Sequence, residues 1–103
     1  MNLHEAKRIE IIIEAPLEGR LTEALDQAEV PGYTVLPVHG GSGRSGRWSR
    51  DGQVSPGRGM VNVVILIRPE RADSVIDIAF GVLEPHIGII SVSDTQVVRA
   101  ERF

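Results

Sequence analysis

Between His39 and Gly52 the chain reads HGGSGRSGRWSRDG, and residue types able to do chemistry concentrate there. Clustered glycines let backbone N–H groups converge on an anion, and nearby arginines add bidentate, charge-assisted bonds. Gly41-Ser42-Gly43-Arg44-Ser45-Gly46 spells G-x-G-x-x-G, the spacing of a dinucleotide fingerprint. That fingerprint works where its glycines open a helix whose N-terminus meets a pyrophosphate, with an acidic residue about 20 positions on. Here Trp48-Ser49-Arg50-Asp51-Gly52 follows, without apolar periodicity, and the context fails. Gly41 and Gly46 also have the outer spacing of a Walker loop. Arg47 and Trp48, however, stand where a Lys and a Ser/Thr must reach phosphate and magnesium, and again no helix follows. What survives is anion binding by backbone amides and arginines.

Other chemistries find less support. His39, Ser42, Ser45, Ser49 and Asp51 supply the residue types of a hydrolytic triad. A glycine-rich loop has no rigid shell to hold a base at hydrogen-bond distance from a nucleophile, so no enzyme is expected. There is no cysteine, hence no disulfide framework, thiol nucleophile or Cys-based zinc site. His4, His39 and His86 lack a metal-ligand spacing, and no metal is expected. His39, at the loop base, reads as a solvated histidine, with phosphate contact or pH sensing as the alternative. Trp48 among Arg44, Arg47 and Arg50 suits an anchor for a protein partner, because a lone Trp that finds a pocket is a common hot spot. A stacking platform for single-stranded nucleic acid, or a Trp folded back on its own subunit, satisfies the same pattern.

The 103 residues, 42% apolar and 24% charged, fit one small domain. A chain this short buries only about two-thirds of its unfolded surface, so self-association is a natural source of further stability. The net charge of −3 is uneven: His39 to Gly59 holds four arginines against Asp51, leaving an acidic body and a basic loop. That asymmetry points to an anionic partner at the loop. No apolar run approaches the ~20 residues of a membrane span, and Met1 to Lys7 lacks the apolar core of a signal peptide, so a cytoplasmic protein without direct membrane insertion is expected.

The elements that must position the loop follow from periodicity. Lys7 to Glu14 puts Ile9, Ile11 and Ile13 on one face of a strand and Ile12 on the other. Pro16 suits a helix start, and Leu21, Ala24, Leu25 and Ala28 recur at helical spacing until Pro31-Gly32. Gly32 to Val38 reads as a second strand. The His39–Gly59 loop follows, holding seven of the eleven glycines. Met60 to Pro69 is the most apolar strand, with Val61, Val63, Ile65 and Ile67 on one face and Val64 and Leu66 on the other. A second helix over Glu70 to Leu83 carries Ala72, Val75, Ile76, Ala79, Phe80 and Leu83 as a wide apolar stripe. Gly88 to Val92 reads as a fourth strand and Thr95 to Arg99 as a short final one. The order β-α-β-β-α-β predicts an α+β, ferredoxin-like domain with both helices on one face of an antiparallel sheet. Ile12, Val64 and Leu66 load the other face, which implies burial between subunits.

This plan resembles that of the PII signal-transduction family. KRIEIIIE is similar to the family's opening strand, GYTVLPVHGGSGR to its second strand leading into the T-loop, and IGIISVSDTQVVRAERF to its B-loop, fourth strand and C-terminal segment. GYTV followed by GGxG, with the short GII, is most similar to the PII-like proteins linked to bicarbonate transport and carboxysomes. The resemblance spans nearly all of residues 1–103, taken as one PII-like domain with a flexible T-loop at 39–59. It implies a homotrimer that binds adenine nucleotide between subunits. Thr34, Gly40, Gly41, Ser42 and Gly43 then match one side of the nucleotide cleft, Gly88, Ile89 and Ile90 its B-loop wall, and Arg99 a C-terminal arginine that approaches the phosphates.

Departures refine the expectation. EPHIGII lacks the lysine and the longer glycine-bearing B-loop that serve a γ-phosphate, and Glu101 replaces a second C-terminal arginine. Each lost charge-assisted bond is worth roughly 1.5–3 kcal/mol, so AMP or ADP is expected over ATP. The loop has no tyrosine to uridylylate, and nothing supports 2-oxoglutarate sensing. The expected function is a sensor in which AMP or ADP, with bicarbonate as a small-anion co-ligand, orders the T-loop. Arg44, Ser45 and Arg47 would serve bicarbonate or the loop switch, and Trp48 and Arg50 would engage a bicarbonate transporter or carboxysome-related protein; no nucleic acid is expected. The competing expectation is an oligomeric interaction module without nucleotide, its basic loop docking on nucleic acid or an acidic protein.

Overall fold

The computed structural model describes residues 1–43, 46–49, 59–99 and 101. Strand β1 (His4–Glu14) alternates as its sequence requires, with Ile9, Ile11 and Ile13 fully buried and Ile12 on the opposite face. Pro16 sits in a 3₁₀ turn, Ala15–Leu17, that leads into α1 (Glu18–Gln27), which buries Leu21 and Leu25. Helix α1 ends with the two bonds of a Schellman cap. Glu29 N–H donates to the Asp26 carbonyl at 3.0 Å and Val30 N–H to the Leu25 carbonyl at 3.1 Å, while buried Val30 closes on the core beside Leu25. This cap places Glu29 in the left-handed region at φ 57, a position that favours glycine. Arg71 crosses from the second half of the chain to bond the same helix end, donating to the carbonyls of Ala28 at 2.9 Å and Glu29 at 3.2 Å.

The chain continues through β2 (Thr34–Val38), β3 (Gly40–Gly43), β4 (Gly46–Ser49) and β5 (Met60–Ile67). A 3₁₀ turn, Pro69–Arg71, then leads into α2 (Ala72–Leu83), and β6 (Gly88–Val97) follows. Four strands form one antiparallel sheet in the order β2-β5-β1-β6, so β1 and β2, joined through α1, are split by β5. This is the α+β, ferredoxin-like arrangement that the periodicity predicted. Strand register aligns Ile9 with Ile65, Ile11 with Val63 and Ile13 with Val61, and this row packs with Leu21, Leu25, Val75, Ala79 and Leu83 into one core.

Three expectations change. The two strands expected at Gly88–Val92 and Thr95–Arg99 are one, because Ser93 and Asp94 continue the pairing opposite Arg8 and Lys7 and Lys7 forms an ion pair with Asp94; among the described residues there is no separate short C-terminal strand. Phe80, expected in the buried stripe of α2, is 53% exposed. At about 100° per residue it lies roughly 80° round the helix from Ala72, outside the narrower stripe of Ala72, Val75, Ala79 and Leu83. Within the His39–Gly59 loop, the described part is an antiparallel ribbon of β3 with β4, a small second sheet.

The second face of the main sheet carries no helix among the described residues. Ile12, Val64, Leu36, Leu66 and Ile89 lie on it together with Arg8, Glu10 and Asn62, and Leu36, Leu66 and Ile89 are exposed. Asn62 Nδ2 donates to Glu10 Oε1 at 3.1 Å, while its own Oδ1 is sealed from solvent without a partner among the described residues.

Two substitutions test this account. Glu29→Gly relieves a left-handed strain of about 1–2 kcal/mol at the cost of about 0.5–1 kcal/mol of glycine entropy, so the urea midpoint should rise. Gly88→Ala should lower it by about 1–3 kcal/mol of stability, as overpacking does. A Cβ at Gly88 would stand 2.6 Å from the Ile12 carbonyl oxygen and against Leu83 Cδ1, and backbone cannot yield as a side-chain tip can.

Candidate functional site

Strand β2 and the segment after β6 meet at a groove of about 730 Å³ on the helix-free face of the sheet. Its floor is apolar, from Leu36, Val64 and Leu66, because even-numbered positions of β2 and β5 point to this face. Val97, Val98 and Arg99 line one side, and Gly32, Tyr33 and Thr34 the other. Tyr33 is fixed from behind: its hydroxyl donates to Asp26 Oδ1 of α1 at 3.0 Å. That bond, with burial second, holds the phenol above its usual pKa and keeps the hydroxyl a donor. The start of β2 is thereby tied to the C-terminal turn of α1.

Two arginines, Arg8 and Arg99, are among the residues that line this groove. Arg99 Nε donates to Glu101 Oε1 at 3.2 Å, so the carboxylate that the sequence places near the C-terminus engages the arginine expected to meet a ligand. Arg8 Nη2 donates to Glu10 Oε1 at 3.4 Å. The Glu10 carboxyl is held below its usual pKa, first by the Asn62 amide and then, against the opposing effect of burial, by Arg8. The lining therefore combines a flat apolar surface with charge at its margin, which suits a ligand with a planar apolar body and an anionic group.

Of the residues expected to contribute, Thr34 and Arg99 come together in this groove. Gly40, Gly41, Ser42 and Gly43 form β3, opposite Ser49, Trp48, Arg47 and Gly46 of β4. The glycines of G-x-G-x-x-G thus lie in paired strands and open no helix, in keeping with the rejected dinucleotide reading. Gly88, Ile89 and Ile90 pair with Ile13, Ile12 and Ile11 on the far edge of the sheet. Strands β5 and β1 stand between them and Thr34, a separation of about 14 Å at the usual strand spacing. Gly88 has a packing reason to lack a side chain in the close approach of β1. Arg44, Ser45 and Arg50 lie outside the described residues, and Arg47 and Trp48 are placed by their backbone alone.

Sequence reasoning missed Arg8, Leu36, Val64 and Leu66 as lining of one groove. Strand alternation carried the signal for the apolar residues, of which Val64 and Leu66 were assigned to the second face without being joined to the site. Arg8 was legible by the same parity, two positions before Glu10 and four before Ile12.

Comparison with known proteins bears on the fold that carries this groove. A family model described as nitrogen regulatory protein P-II matches residues 6–102. No curated protein matches the chain. Among solved structures, the chain is similar to CPII, a nitrogen regulatory PII-like protein from Thiomonas intermedia K12 bound to ADP, AMP and bicarbonate. The TM-score is 0.89 at 26% identity, covering 99% of this chain and 96% of that one. It is similar also to a PII-like signalling protein from Thermus thermophilus, with TM-score 0.81 at 25% identity, covering 100% and 99% of the two chains. The apo form of CPII aligns with TM-score 0.73 at 26% identity, covering 95% and 97%. With nearly its whole length matched, the chain belongs to the nitrogen regulatory protein P-II family.

Proposed function

We propose that the protein is a PII-like regulatory sensor that binds AMP or ADP in preference to ATP between the subunits of a homotrimer. The observation that carries this reading is the division of the expected site within one chain. Thr34 and Arg99 line one groove, whereas Gly88, Ile89 and Ile90, at the other end of β6, do not line it. One ligand touches both sets when the groove of one subunit faces the β6 edge of the next. The apolar, helix-free face supplies the surface for that association. CPII, similar over nearly the whole chain, binds ADP, AMP and bicarbonate, the ligand classes proposed here.

In this reading the adenine lies on the apolar floor and the phosphates reach Arg99 and the amides of Gly40 to Gly43. Glu101, already on Arg99, opposes the added charge of a triphosphate. Bicarbonate is a second ligand near the basic loop, where Arg44, Ser45 and Arg47 would serve it. Ligand binding biases the loop by the difference in affinity for its two arrangements, and no more than that. Trp48 and Arg50 then engage or release a partner in inorganic-carbon metabolism, a bicarbonate transporter or a carboxysome-related protein, in the cytoplasm. No catalytic step is assigned.

Calorimetric titration with AMP, ADP and ATP, each with and without bicarbonate, tests the reading. The expected result is one nucleotide per subunit, with ATP the weakest. Arg99→Ala should raise the Kd about tenfold to a hundredfold, as the loss of one charge-assisted bond does. Gly43→Ala is the companion variant, since a Cβ there meets nothing within 4 Å among the described residues and a loss of affinity reports on the ligand. Absence of heat and of competition at millimolar nucleotide would remove the proposal.

A further inference from the structure

We propose that Arg8 is a second anion-binding guanidinium of the groove, contributed by the central strand and held in place by Glu10 and Asn62. Resting on the nucleotide reading for the identity of its natural ligand, the assignment concerns the phosphate group or, more broadly, an oxyanion with more than one oxygen to offer.

Arg8 projects from the central strand with its side chain 42% exposed, within reach of a ligand from solvent. Arg8 lies on the helix-free face between Leu66 of β5 and Ser93 of β6, with Glu10 the next position of its own strand on that face. An exposed guanidinium keeps most of its hydration, so a carboxylate contact adds little stability and does not by itself account for the residue. The partner within the chain is Glu10, and that contact is long at 3.4 Å, made through one nitrogen. A two-pronged arginine–carboxylate pair closes at roughly 2.7–2.9 Å. Glu10 is instead claimed more closely by Asn62 Nδ2 at 3.1 Å, and the amide holds that orientation although its Oδ1 is left buried without a partner among the described residues. Native structures seldom leave such an atom unsatisfied without a reason. The reason the geometry offers is that Asn62 keeps Glu10 beside Arg8 without drawing the guanidinium down into a closed ion pair, so that Arg8 still lines the groove.

Arg99 lines the same groove from the C-terminal segment. Its Nε is engaged by Glu101, so a single arginine would meet an incoming phosphate already half neutralised. Arg8 supplies a second positive charge from a different element, and its planar fork suits an oxyanion with two oxygens in one plane. The groove then has an apolar floor flanked by two guanidinium groups, which matches the anionic end of a nucleoside mono- or diphosphate.

The test observes the arginine itself. Side-chain Nε–H resonances of the full-length, ¹⁵N-arginine-labelled protein are followed during titration with pyrophosphate and, separately, with ADP, the Arg8 signal being identified by its loss in Arg8→Gln. The Arg8 resonance should shift saturably with both probes. Arg8→Gln should weaken ADP binding about tenfold or more, and Arg8→Lys, which keeps the charge without the fork, should fall between. Far-UV circular dichroism of both variants should match the parent, and Arg8→Lys carries the test if Arg8→Gln does not fold. An Arg8 resonance unmoved at saturation by either probe, or unchanged ADP affinity in Arg8→Gln while Arg99→Ala loses it, would overturn the assignment and leave the nucleotide reading standing. If the parent protein binds no nucleotide, that reading falls, and Arg8 is judged by pyrophosphate alone: a saturable shift retains it as an oxyanion site, and no shift removes it.

Discussion

The strand on which the rest depends is β1, paired along both edges and loaded on both faces. Its register with β5 and β6 is set by three isoleucines, Ile9, Ile11 and Ile13, each buried against the helices. Because side chains alternate with period two, a slip of one residue would put Arg8, Glu10 and Ile12 into the helix-side core and the isoleucines outside. Nothing in that core could satisfy a guanidinium and a carboxylate, since every described residue buried there is apolar. The same constraint that fixes the core therefore fixes which residues face the groove.

From that register the geometry of the site follows without further assumption. Strand β1 places Arg8 toward β5, β5 places Val64 and Leu66 beside it, and β2 adds Thr34 and Leu36. The split order β2-β5-β1-β6 puts two strands between Thr34 and the Gly88–Ile90 end of β6. A fold in which sequence-adjacent strands were spatial neighbours would have brought other residues together. In the proposed reading one chain supplies two incomplete walls, and the exposed Leu36, Leu66 and Ile89 of the helix-free face offer the surface to combine them.

Much of this was legible in the sequence because it rests on parity and on a few strong punctuating residues. The two-faced loading of Ile9 to Ile13 and of Val61 to Ile67, the helix after Pro16 and the helix ending at Leu83 all obey simple periods. What escaped was set by contacts between distant parts of the chain. Ser93 and Asp94 look like a break between two strands, yet pairing with Arg8 and Lys7 carries the strand through them. Phe80 fits a wide stripe by spacing, but two helices over a narrow sheet bury a narrower one. The ribbon of β3 and β4 has no apolar alternation to announce it, because four of its eight positions are glycine. The groove escaped for a related reason: it is assembled from the faces of four segments, none of which is unusual by itself.

The charges of the groove show how far such a site departs from a generic anion trap. Each arginine is provided with a carboxylate, Glu10 for Arg8 and Glu101 for Arg99, at 3.4 Å and 3.2 Å. Pairs this exposed and this long contribute little to stability, so their effect falls on the incoming ligand. A phosphate must either displace the carboxylate or bind on the other side of the guanidinium within its field. Glu101 holds Arg99 in an exposed pair, whereas Glu10 is tethered by Asn62 within the sheet. In the proposed nucleotide reading, phosphate charge added beyond the first meets the two carboxylates already on the arginines, Glu101 and Glu10, which is a physical reason to favour the less charged adenylates.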